Sequence, residues 1–155
     1  MTGPSAPPVL ARRPEPLRRV VIADAGPLIG LARIGCLDLL RALFGGVTLT
    51  ASPSGLPDIE PLNPGVDPGE RSTIALALHR RAAGENVLVI MDDRCGRAEA
   101  RSRGLSILGT AAVMVLAKEQ RLIPACAPLL VVLREEGYYL SDGLVAAVLA
   151  EVGEA

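Results

Sequence analysis

Tryptophan is absent from this chain, and its only aromatic residues besides the single histidine are one phenylalanine and two tyrosines. A core for 155 residues must therefore come from aliphatic side chains, which supply nearly all of the 50% hydrophobic content. Tyr138 and Tyr139 are too isolated to form a base-stacking platform; they suit packing against the last helix or a partner. Lysine is almost missing as well, Lys118 being the only one, so arginine carries the positive charge. Arginine suits phosphate, but the same skew follows from genome base composition, the plainer reading. The formal net charge of −1 excludes a global basic field of the kind that marks a nucleic-acid binder. One histidine, His79, excludes an ordinary zinc site. Cys36, Cys95 and Cys126 form no CxxC pair and cannot all be disulfide-bonded, which fits a reducing cytoplasm. No apolar run reaches membrane-spanning length, and the N-terminus lacks the apolar core of a signal peptide.

What is present reads as one domain behind a tail. Residues 1–18 hold five prolines and no periodicity, which predicts a disordered leader. Arg12, Arg13, Arg18 and the adjoining Arg19 are placed to touch nucleic acid there, although a solvated leader is the plainer reading. From residue 19, strands and helices alternate. Strands are expected at "RVVIAD", "GVTLT", "NVLVIMD" and "LSILG". "GPLIGLARIGCLDLLRALF" predicts a helix pair or a broken helix, and "DPGERSTIALALHRRAAG" a helix with Asp67 as cap, Pro68 in the first turn and Gly84 at the stop. Further helices follow over "RCGRAEARSRG", "TAAVMVLAKEQR", "PACAPLLVVLREEG" and "SDGLVAAVLAEVG". Strands apolar on both faces and separated by helices imply an α/β/α sandwich about a parallel sheet of four strands. Function in such sheets gathers beyond the carboxyl ends of the strands.

Acids fall at that edge. Asp24 follows "VVI", Asp92 and Asp93 follow "LVIM", and Glu70 opens the helix before that strand. If the first and third strands are neighbours, the four converge. Clustered carboxylates resist ionising together; Mg²⁺ or Mn²⁺ removes that penalty and can activate water against a phosphodiester. Each acid also has a capping role open to it. Asp24 can cap the first helix, "DPGE" reads as a capping box joining Asp67 and Glu70, and Asp92 or Asp93 can cap the arginine-rich helix.

"VVIADAGPLIGLARIGCLDLLRALFG", "VDPGERSTIALAL", "VLVIMDDRCGRAEARSRGLSILGTAAVMVLAKEQRLIP" and "LREEGYYLSDGLVAAVLAEVGE" together resemble PIN-domain proteins. More narrowly, they resemble the prokaryotic branch of predicted nucleic-acid-binding proteins related to VapC-type toxins, over nearly all of residues 19–154. The resemblance implies a Rossmann-like fold and a divalent-metal ribonuclease. Asp24, Glu70 and Asp93 would be its catalytic acids and metal ligands, with Asp92 a rival to Asp93 as ligand. Thr110, in "GT", would orient water or phosphate, unless it caps the following helix. An RNA substrate, an antitoxin partner and a homodimer are implied in the same way.

One departure stands out. Related proteins carry a helical segment with another site glutamate after the second strand; here residues 51–66 are short and hold four prolines, too many for a helix. Asp58 and Glu60 are the acids available there, and no pattern fixes either at the site. The shortened segment opens an alternative, a catalytically impaired PIN-fold binding or assembly module. Arg94, Arg97 and Arg101 share a helical face beside the acids and would position an RNA backbone; a solvated face also paired with Glu99 explains them too. His79 reads as a surface residue, and Cys95 has no reactive setting. A receiver-like phosphoacceptor domain shares this pattern of acids, but it needs a lysine after a later strand, and Lys118 lies mid-helix.

Overall fold

The computed structural model describes residues 19–50 and 59–155. The expected disordered tail 1–18, Asp58 and the first half of the proline-rich segment lie outside the described residues. The elements run β1 (Arg19–Ala23), α1 (Ala25–Arg33), α2 (Asp38–Phe44), β2 (Thr48–Leu49), α3 (Pro68–Ala82), β3 (Asn86–Ile90), α4 (Arg94–Ser102), β4 (Ser106–Leu108), α5 (Thr110–Glu119), α6 (Ala127–Glu135) and α7 (Asp142–Glu151). The region left open as a pair or a broken helix is a pair, α1 and α2.

All four strands are parallel, in the order β2-β1-β3-β4. β1 and β3 pair along their whole length, Arg19 opposite Asn86 through Ala23 opposite Ile90. Side chains alternate across a strand, so each strand feeds two cores. Val21, Ala23, Leu88 and Ile90 join the core under α1, α2 and α5–α7, where Leu31, Met114 and Leu133 are fully buried. Ile22, Val87, Val89 and Met91 join the other core with Ile74 and Ala77 of α3 and Ala100 of α4. Covering both faces is what makes β1 and β3 continuous apolar runs rather than alternating ones.

The strand order places the site. From β1 the chain turns outward to β2, then crosses back to lay β3 on the other side of β1. That reversal makes the carboxyl ends of β1 and β3 the switch point of the sheet, where the loops diverge and leave a crevice. Asp24 is the residue after β1, and Asp92 and Asp93 follow β3 by two and three positions. Among the described residues no helix is long and apolar enough to cross a membrane.

Candidate functional site

Asp24 stands at the N-cap of α1, yet its side chain makes no capping hydrogen bond. Instead its Oδ1 accepts from the buried Thr73 hydroxyl at 3.5 Å, and Thr73 in turn lies 3.3 Å from the Thr50 hydroxyl beyond β2. Three elements therefore meet at Asp24. Burial raises its pKa above the usual 3.8, and the charges of Asp67 and Asp92 add to that, against the Ala25 amide and the Thr73 hydroxyl, which lower it.

Glu70 has two environments at once. The capping box of α3 is complete: the Glu70 amide donates to Asp67 Oδ1 at 2.7 Å, and Glu70 Oε2 accepts from the Asp67 amide at 3.0 Å. The residue is nevertheless only 4% exposed. Burial, with Asp67, Asp93 and Asp24 nearby, lifts its pKa from 4.5 to about 7, although its bond to the Asp67 amide pulls the other way. Capping and membership of an acidic cluster are thus compatible, because they use the side chain and its surroundings differently.

The adjacent acids after β3 separate. Asp93 is exposed, and its Oδ1 caps α4 by accepting from the amides of Cys95 at 2.9 Å and Gly96 at 3.0 Å. Asp92 turns toward β4 and α5. Its Oδ1 accepts from the Thr110 amide at 2.8 Å, and its Oδ2 accepts from the hydroxyls of Thr110 and Tyr138. Thr110 is not the cap of α5, a place held by Gly109; it is the first helical residue, and it serves Asp92. Gly96 explains how closely α4 approaches: a Cβ there would stand 2.5 Å from Met91 Sδ and 3.1 Å from Glu70 Cδ.

The arginines divide too. Arg94 and Arg101 are exposed on α4. Arg97 folds back, donating from Nη1 to the Met91 carbonyl at 3.0 Å, and it lines a cleft of about 240 Å³ with Asp92, Gly109, Ala111, Ala112 and Leu144. Burial, then Arg101, lowers its pKa, while Asp92 opposes that. Glu99 pairs with Arg103 at 2.9 Å rather than with those three. Its carboxylate also accepts from the amides of Leu62 and Asn63, which ties the second half of the proline-rich segment to α4. Glu60 is exposed, and its backbone carbonyl is held by Arg103. His79 is exposed at the end of α3, as expected. Lys118 lies in the last turn of α5, bonded to Glu154 and the Val152 carbonyl. Eight residues separate it from Thr110, roughly 12 Å along the helix, which removes the phosphoacceptor reading.

Two participants were not foreseen. Asp67 was given only a cap, yet its charge acts on both Asp24 and Glu70. Tyr138 was assigned to packing, yet its hydroxyl reaches Asp92. The pull of Asp67 on Glu70 lies within the capping box, but its effect on Asp24 and the reach of Tyr138 to Asp92 arise through tertiary contacts that no motif announces.

In kind, the donors fit a hard divalent cation: all are carboxylate oxygens, and two of them, Asp24 and Glu70, resist ionising because they are buried and lie near other carboxylates. As placed, however, no three His, Cys, Asp or Glu side chains among the described residues stand close enough to hold a metal ion together. The family model DUF3368, described as a PIN domain, matches residues 56–154. The match takes in Glu70, Asp92, Asp93 and Thr110 and begins after Asp24. No curated protein and no solved structure matches the chain. PIN domains are in general nucleases and depend on divalent metal, which agrees with acids gathered at the switch point of a four-stranded parallel sheet. With well over half its length matched, the chain belongs to the PIN-domain family.

Proposed function

We propose that the chain is a divalent-metal-dependent endoribonuclease of the PIN type, acting in the cytoplasm of a prokaryote as the toxin of a toxin–antitoxin pair. The observation that supports this reading is the pairing of β1 with β3, which delivers Asp24 and Asp92/Asp93 to one edge beside buried Glu70. Asp24, Glu70 and Asp93, with Asp92 beside them, would hold Mg²⁺ or Mn²⁺. When bound, the cation supplies an activated water and charge compensation for cleavage of a phosphodiester. Arg94 and Arg101 face solvent on α4 and would position the RNA backbone, with Arg97 nearer the acids. Thr110 orients Asp92 through its amide and hydroxyl. The toxin role brings an antitoxin partner that silences the site by placing a basic side chain among the acids; a homodimer is one assembly open to the chain.

A second reading, an impaired PIN-fold binding or assembly module, draws on a specific observation. The described part of the proline-rich segment, residues 59–66, contains no helix, and its one acid, Glu60, is exposed. Calorimetric titration with Mn²⁺ separates the two. Saturable binding that Asp24→Asn abolishes, with RNA cleavage lost in the same variant, supports the nuclease. Absence of binding up to millimolar Mn²⁺ transfers support to the impaired module.

A further inference from the structure

The cleft of about 240 Å³ beside α5 and α7 combines two polar groups, Asp92 and Arg97, with apolar walls from Ala111, Ala112 and Leu144. Gly109 gives it room. The backbone there is extended, φ −94° and ψ 167°, which any residue adopts, so what glycine provides is space and not conformational freedom. A Cβ on Gly109 would stand 2.9 Å from Arg97 Nη1 and 3.0 Å from Asp92 Oδ1. The donor and the acceptor therefore flank one point, and Asp92 acts on the guanidinium through its charge rather than through a hydrogen bond. Both retain capacity among the described residues. A guanidinium has five N–H groups, of which Arg97 commits one to the Met91 carbonyl. Asp92 Oδ1 accepts the Thr110 amide and keeps a second lone pair.

We propose that this cleft is a base-specificity subsite that receives one guanine of an RNA substrate between Arg97 and Asp92, an assignment that rests on the ribonuclease reading above. Apolar walls with a few convergent polar groups are the usual make-up of a small-ligand site, and the volume falls below the roughly 300–1,000 Å³ of sites for drug-sized ligands, which suits a single ring system. Along the edge of guanine, N7 and O6 accept and N1–H donates, in that order. Arginine pairs with N7 and O6 through two N–H groups, and Asp92 Oδ1 takes N1–H. Adenine presents an amino group in place of O6 and a lone pair in place of N1–H, so donor would meet donor and acceptor would meet acceptor. A phosphate is disfavoured here because the Asp92 carboxylate repels it.

The test is fluorescence anisotropy of the full chain with short labelled oligouridylate RNAs that carry one central guanine or one central adenine, in EDTA so that no cleavage intervenes. The parent is expected to bind the guanine probe about tenfold more tightly than the adenine probe. Ala112→Leu, which fills the cleft from its apolar wall, and Arg97→Lys, which keeps the charge but loses the paired N–H groups, should each bring the two affinities together. Thermal melts confirm folding, and should one variant not fold, the other reads the same preference. Equal affinity of the parent for the two probes overturns the guanine subsite and leaves the nuclease reading standing. A preference for guanine that survives in a folded variant overturns the assignment to this cleft. A parent that binds neither RNA overturns the ribonuclease reading and the subsite with it.

Discussion

At the scale of single residues, the candidate site gathers carboxylates, and burial discourages the ionisation of two of them, Asp24 and Glu70. Glu70 is the strongest case. Its folded pKa of about 7 lies above the ordinary 4.5, so the native state holds a proton there that the unfolded chain has released. The stability this contributes is fully present below pH 4.5 and is lost as pH rises through about 7. Metal-free protein should therefore melt at progressively lower temperature across that interval. Glu70→Gln, which preserves a capping-box side chain, should remove that component of the decline; an unchanged pH dependence in the variant would mean that Glu70 is not the group responsible.

At the scale of elements, α4 is the part on which the site and the proline-rich segment both depend. Its N-terminus receives Asp93, its second turn carries Arg97, and its inner face carries Glu99, 2% exposed. Burial alone would raise the Glu99 pKa. The Leu62 amide, Arg103 and the Asn63 amide outweigh it, so the carboxyl titrates below its ordinary value. Glu99→Ala should lose charge-assisted hydrogen bonds on the order of 2 kcal/mol, read as a lower denaturant midpoint, and should open residues 59–66 to proteolysis. The contact between α4 and α3 offers a second test. Gly96→Ala places a methyl against Met91 and Glu70, and overpacking of this kind costs about 1–3 kcal/mol. Its effect on Mn²⁺ binding should exceed that of an alanine introduced at an exposed position of α4, because the methyl presses on Glu70 itself.

At the scale of the whole molecule, residues far apart in the chain close the helical layer around the sheet. Glu154 bonds Lys118 of α5 at 2.6 Å and the amides of Cys126 and Ala127, at 2.7 Å and 2.8 Å, where α6 begins. Lys118 first, then those amides, depress its pKa from 4.5 to about 2. The stability contributed is present above pH 4.5 and is lost as pH falls toward 2. Glu154→Gln should therefore lower the melting temperature at neutral pH, and parent and variant should converge between pH 4.5 and 2. A constant difference through that range would show that the carboxylate charge is not what holds these helices.

Sequence alone determined the elements and the edge where they matter. Strand runs such as "VLVI" must be buried on both faces, and that condition demands a parallel sheet between helix layers, with acids beyond its strand ends. Asp24, Glu70, Asp92 and Asp93 were legible because each sits at a boundary between an apolar run and a helix start. The complete capping box at Asp67 and Glu70 was legible for the same reason, since its partners are three residues apart. Tertiary structure alone decided how the acids are used. Asp92 turns to Thr110 and Tyr138, 18 and 46 residues away, while its neighbour Asp93 serves α4. Glu99 reaches back to Leu62 and Asn63 rather than pairing with the arginine face. Local spacing records contacts within a turn or two of chain. Contacts across the switch point depend on the order of the strands, which no short stretch of residues encodes.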